Sequence, residues 1–233
     1  MRFLRRLLIT VIVLALLAVA ADRVACWAFE RTFAHEATAQ TDARDVSASI
    51  HGFPFLTQLW NGSLDDVTVS AGSATFGGTT VTDVDVDGTG VSLTSPYVVT
   101  DGTVEATVPS AELEKQVAAR TRSDVAIEAT DDGLVATTKV FGLDVGLVLE
   151  PKVSGGSLAV DVKAAKIAGA TVSANALPGG LASTLDGLKV PLDLPKGVTL
   201  TGASVVPARD GSDGGVRVSA TASDVALEHL ASS

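Results

Sequence analysis

The densest run of candidate ligands is Asp83-Val84-Asp85-Val86-Asp87-Gly88. It matches the opening D-x-D-x-D-G of a calcium loop, where carboxylates at alternate positions surround the ion and glycine permits a sharp turn. The twelfth position of such a loop supplies a bidentate Glu; here it is Thr94. Val84 and Val86 alternate with the acids, as on a strand with one dry and one wet face. The run is therefore read as a polar strand face, and no metal or cofactor is expected. Asp65-Asp66 is the next candidate, a carboxylate pair for acid–base work. Neighbours on a strand point to opposite faces, so a turn or strand-entry role is expected instead. His35, His51 and His229 are scattered, without the H-x-x-x-H or H-E-x-x-H spacing of a zinc site. There is no G-x-S-x-G elbow, no P-loop and no G-x-G-x-x-G after a strand. The expectation is a protein that is not an enzyme. A hydrolase using the scattered carboxylates Asp65, Asp66, Asp83, Asp85 and Asp87 is the competing reading.

The elements that must carry these residues are mostly strands. Val, Thr and Gly are abundant and strong helix formers are sparse, which favours strands and turns. From Leu64 onward apolar and polar residues alternate: Val67, Val69 and Ala71 against Thr68 and Ser70. Residues 80–88, 90–99 and 102–110 continue in this style. Ser110 reads as the N-cap of a short helix over AELEKQVAAR, with Glu112 and Glu114 at its positive end and Leu113 and Val117 as an apolar pair. Asp131-Asp132-Gly133 and Gly155-Gly156 read as the turns of two hairpins. A further short helix is expected near Gly180–Leu188, and the chain closes in strands. No linker divides it, so a single exported domain over residues 23–233 is expected.

Residues 1–22 are a different kind of segment. The basic start, with Arg2, Arg5 and Arg6, precedes an apolar run over residues 7–21, which reads as a signal peptide or a membrane anchor. Ala18 and Ala20 occupy an A-x-A cleavage position. As a helix the run spans only ~22 Å, short of a ~30 Å hydrocarbon core. Residues 24–29 renew the apolar character past Asp22-Arg23, and a helix is expected to continue to about residue 40. Cleavage and retention both fit. Either way the arginines stay cytoplasmic and the bulk of the chain lies outside. The single cysteine, Cys26, excludes an internal disulfide, and Arg23 three residues before it is a poor match to a lipidation signal. Setting aside the three leader arginines takes the net charge from −10 to −13. A body this acidic repels phosphate backbones, and nucleic acid is not an expected partner.

One segment spends aromatic residues that the rest of the chain withholds. Of ten aromatics, Phe53, Phe55 and Trp60 fall within eight positions, punctuated by Gly52, Pro54 and Gly62. Pro54 can open a short helix and Gly62 can end it. On that helix Phe55, Leu56, Leu59 and Trp60 are expected to share a face. Two readings stay open for that face: core at one end of the β-body, or a lid or membrane-contacting lip over a lipid groove.

The run G-F-P-F-L-x-Q-L-x-x-G-x-L-D-D-V, from Gly52 to Val67, resembles a motif of the LmeA-like phospholipid-binding proteins of actinobacterial cell envelopes. So does the tail from Val190-Pro191-Leu192-Asp193-Leu194-Pro195 onward, together with the RRLL…ADRVA leader. The resemblance covers nearly the whole chain. It implies an α+β fold in which a long curved antiparallel sheet wraps one or two helices, similar to tubular lipid-binding folds, behind an N-terminal hydrophobic helix. It implies an extracytoplasmic protein, in a periplasm-like space or on the outer face of the membrane. Such a protein binds phospholipid in an apolar groove and supports envelope lipid or glycolipid assembly without catalysis. Phe53, Pro54, Phe55, Leu56, Leu59 and Trp60 match the family motif and are the candidate lipid-binding residues. The alternative is an envelope scaffold that holds a biosynthetic enzyme at the membrane.

Overall fold

Period-two alternation, broken by Gly and Asp turns, produces two antiparallel sheets. The computed structural model describes residues 2–76, 78–121, 125–140, 143–167, 170–173, 188–190, 196–209 and 214–226. A long helix, α1 (Arg2–Thr41), leads into β1 (Ser47–His51), a short helix α2 (Phe55–Asn61), β2 (Ser63–Phe76), β3 (Thr79–Ser92) and β4 (Val98–Pro109). Next come α3 (Ser110–Thr121), β5 (Ala126–Thr130), β6 (Gly133–Val140), β7 (Leu143–Ser154), β8 (Ser157–Ile167) and β9 (Ala170–Ser173). The last described strands are β10 (Leu188–Val190), β11 (Val198–Val206) and β12 (Gly215–Ala226). The first sheet has the order β1-β2-β3-β4-β12-β11 and the second β10-β8-β7-β6-β5, with β9 also on β8. The expected α+β class is what the chain adopts: mostly antiparallel sheet, three helices among the described residues, and an apolar N-terminal helix, without closure into a barrel.

Both expected hairpin turns form, at Asp131-Asp132 between β5 and β6 and at Gly155-Gly156 between β7 and β8. The two glycines take φ of 61° and 73°, a region closed to most side chains. The stretch 90–99 is not one strand: residues 93–97 form the loop of the β3–β4 hairpin. Ser110 lies within the first turn of α3, and its buried hydroxyl finds no hydrogen-bond partner among the described residues, so the expected side-chain cap is not made. Glu112 instead pairs with Lys115 at 3.1 Å, and Glu114 accepts the Ile127 N–H at 2.6 Å, tying α3 to β5. Residues 180–187 of the expected third helix and residues 191–195 of the Leu-Pro tail lie outside the described residues; Leu188 is in β10.

The second sheet meets the first along the β11–β12 side. Ile127, Ala129 and Leu134 of the second sheet and Val216 of the first form one buried cluster, with Leu113 and Val117 of α3 packed against it. The sheets are thus joined through apolar side chains, and the Ala208 N–H donates to the Ala129 carbonyl at the same seam.

The first sheet also carries a line of irregularity. Asp65, Gly90, Thr100 and Asp224 lie opposite one another across β2, β3, β4 and β12, and the pairing skips all four. Gly90 and Asp224 have φ of 61° and 50°, which glycine accepts freely and Asp tolerates. One unpaired residue in each strand resets the alternation. Inward residues are therefore three apart at this line: Leu64 and Val67, Gly88 and Val91, Val99 and Gly102. Such interruptions bend a sheet and increase its twist.

Candidate functional site

The register of the first sheet separates its two faces. Ala48, Val69, Val86, Val104, Ala220 and Leu200 are paired in a row straight across it. Ile50, Val67, Gly88, Gly102, Ala222 and Val198 form the next row on the same face. On the opposite face Ser49, Thr68, Asp87, Thr103, Thr221 and Thr199 form a wholly polar row. Asp85 and Asp87 therefore stand on the wet face, where Asp87 accepts a hydrogen bond from Thr68 Oγ1 at 2.8 Å. Asp83 (φ 49°) sits in a bulge that lets Val81 and Val84 reach the same buried cluster. No group of three or more His, Cys, Asp or Glu among the described residues could hold a metal ion.

The apolar face is covered unevenly. At the β1 end, Ile50 and Leu64 are buried beneath Cys26 of α1 and Phe55 of α2. At the β11 end Leu200 is buried. Between them Val69, Val86, Val104 and Ala220 are only partly buried among the described residues. The result is a strip of aliphatic side chains with closed ends and an incompletely covered middle.

The aromatic segment sits at the β1 end, and its sequence explains its shape. Pro54 precedes α2 in extended conformation and offers no side-chain cap. Asp22 of α1 takes that place, its Oδ1 accepting the Leu56 N–H at 2.8 Å. A carboxylate at a helix N-terminus satisfies a backbone donor that has no partner inside the helix. Arg23 bonds the Asp22 carboxylate at 3.2 Å and the Gly52 carbonyl at 3.1 Å, and its guanidinium lies over the Phe53 ring at 5.2 Å. Gly62 ends α2 in the left-handed conformation, as the sequence predicts.

The face that α2 turns inward differs from the expected one. Phe55 and Gln58 are the buried pair; Phe55 is 1% exposed and tilts against Phe29 with ring centres 5.6 Å apart. Gln58 donates through Nε2 to the His51 carbonyl at 3.1 Å and accepts the Asp65 N–H at 2.9 Å. It thus joins the end of β1 to the start of β2. Leu56, Leu59 and Trp60 share the other face and are exposed; Trp60 is 91% exposed. Phe53 and Pro54 are exposed as well. Of the six candidate residues, one is core and five are surface. The aromatic run thus has a core residue at Phe55 and an exposed face around it.

Val24 and Trp27 of α1 are also exposed, and Arg31 lies over the Trp27 ring at 5.5 Å. Trp27 and Arg31 line a shallow cleft of ≈ 700 Å³ with Ala28, Thr32, Ala34, Thr38 and Val46. Sequence spacing places Val24 and Trp27 on α1, but nothing in the sequence sets that helix beside α2. Asp65 and Asp66 do not converge: Asp66 faces His51 at 3.6 Å, while Asp65 is exposed.

α1 runs unbroken through residue 22 to Thr41, and Ile12–Thr32 within it is long and apolar enough to cross a membrane. Comparison with protein families matches residues 20–224 to the family described as LmeA-like phospholipid-binding. Comparisons with curated proteins and with solved structures return no match.

Proposed function

The chain belongs to the LmeA-like phospholipid-binding family, and from that premise we propose that it is a non-catalytic envelope module that holds phospholipid acyl chains on the apolar face of its first sheet. The observation that carries the reading is the strip Val69-Val86-Val104-Ala220, aliphatic across four strands and incompletely covered. Acyl chains laid on such a strip gain about 0.8 kcal/mol for each CH₂ removed from water. Two chains therefore bind firmly without any catalytic group. Phe53, Pro54, Leu56, Leu59 and Trp60 form the lip at one end, and Phe55 supports them from below. Residues 1–22 act as signal or anchor and residues 23–233 as the exported unit. That places the sheets on the outer face of the membrane, where they support envelope lipid or glycolipid assembly.

The test is lipid content. The chain purified in a non-lipid detergent is extracted and its lipids are separated by thin-layer chromatography; uptake of a fluorescent phospholipid is measured in parallel. Co-purified phospholipid and saturable uptake are expected. Val86→Asp and Val104→Asp place carboxylates on the strip and are expected to abolish uptake with unchanged far-ultraviolet circular dichroism. Absence of both bound lipid and uptake in the parent chain refutes the proposal. Crosslinking that recovers a stoichiometric enzyme with no lipid bound supports the scaffold reading in its place.

A further inference from the structure

We infer that the outward face of α2, together with Val24 and Trp27 of α1, is a membrane-docking collar that sits in the outer leaflet rather than in water or against another protein. The inference rests on the anchored reading of α1 and adds a second contact with the bilayer. Continuity is the first argument. α1 carries exposed apolar side chains from Ile12 through Val19 and again at Val24 and Trp27, and Phe53, Leu56, Leu59 and Trp60 are exposed on the segment that Asp22 and Arg23 fasten to it. Length is the second. A ~30 Å hydrocarbon core takes about 20 helical residues. Counted from Leu7, just past the leader arginines, that distance ends near Cys26 and leaves Trp27 at the interface. α2 is fastened to α1 at Asp22 and Arg23, some five residues earlier. That puts it roughly 7 Å below the interface, the depth at which amphipathic helices lie in a leaflet.

Charge is the third argument. Residues 52–64 contain no Asp, Glu, Lys or Arg, in a chain of net charge −10. Three charges lie beside this segment: Asp22 and Arg23, bonded to each other and to the backbone at Leu56 and Gly52, and the exposed Asp65, whose carboxylate stands next to Gly52. An acidic body gains nothing from anionic headgroups, so a local apolar contact is the means of docking left to it. The collar also adjoins the lipid strip: Phe55, behind it, packs in the same cluster as Val67 and Val91 of the first sheet. A phospholipid leaving the leaflet there meets the sheet without crossing water.

The chain has two tryptophans, Trp27 and Trp60, and both lie in the collar. Full-length protein is reconstituted into phosphatidylcholine vesicles as the Trp27→Phe and Trp60→Phe variants, each reporting one indole. Trp60 is expected to emit with a blue shift, to resist acrylamide, and to lose emission when the vesicles contain phosphatidylcholine brominated in the upper acyl chain. Free quenching by acrylamide overturns the inference, since the face is then in water. Protection from acrylamide without quenching by bromine also overturns it, since another protein or a second copy then covers the face. Phospholipid uptake in detergent is measured on the same variants. If uptake persists while docking fails, only the collar falls; if uptake fails in the parent chain, the lipid-binding reading falls.

Discussion

Replacing Gln58 with methionine separates packing from hydrogen bonding at the base of the aromatic segment. Methionine keeps the length and nearly the volume of glutamine and is more apolar, so a reading based on burial alone expects Gln58→Met to be neutral or stabilising. Gln58 is 5% exposed, and its amide serves two backbone groups, the His51 carbonyl at 3.1 Å and the Asp65 N–H at 2.9 Å. Leaving a buried polar group without a partner costs about 1–3 kcal/mol. The His51 residue is exposed, so its carbonyl can recover water, and the lower end applies to each group. The sum is about 2 kcal/mol, against less than ~1 kcal/mol gained by the added apolar surface. The net loss of about 1–2 kcal/mol lowers the melting temperature of a chain of this length by about 2–8 °C. The assay is thermal unfolding followed by circular dichroism in one detergent, with Trp60→Ser as the surface reference, expected within about 0.5 kcal/mol of the parent. An unchanged or raised melting temperature for Gln58→Met refutes the argument that Gln58 holds the inner position through its hydrogen bonds.

Gly52→Ala is expected to destabilise, because Gly52 has φ +95° and a Cβ there would stand 2.5 Å from Gln58 Nε2, an atom pinned to His51. Its cost should be smaller in the Gln58→Met background, and additive costs in a double-mutant cycle count against the coupling. Asp22→Ala is expected to lower the melting temperature more than Asp22→Asn, since Asn keeps an acceptor for the Leu56 N–H; equal losses contradict the cap assignment. Phe55→Ala is expected to cost about 3–5 kcal/mol and Phe53→Ala far less, although the two stand two residues apart in one motif. Comparable losses in a denaturant titration remove the division between the plug and the lip.

The two hairpin turns were legible because Asp131-Asp132-Gly133 and Gly155-Gly156 are local chemistry, with glycine supplying the positive φ that the turn requires. The two faces of the first sheet were legible for the same reason: Val67, Val69, Val84 and Val86 alternate with Thr68, Ser70, Asp85 and Asp87, and side chains on a strand alternate in direction. That alternation also set aside the calcium reading. The end of α2 followed from Gly62. The inner face of α2 did not follow, because helical spacing groups Phe55 with Leu56, Leu59 and Trp60 by hydrophobicity, while the fold buries Phe55 with Gln58.

By itself, then, the sequence determined the strand-rich class, the β5–β6 and β7–β8 hairpin turns, the long apolar N-terminal helix and the place of the aromatic run just ahead of the main strands. These depend on periodicity, turn residues and the length of one apolar stretch, all of which act within a few residues of the chain. Tertiary structure alone decided that Asp22 caps a helix thirty-four residues away, that one unpaired residue in each of four strands resets which side chains face inward, and that Gln58 rather than a leucine lies beneath α2. The reason is common to all three. A buried backbone donor or acceptor must find a partner, and which side chain can reach it is settled only when distant segments meet.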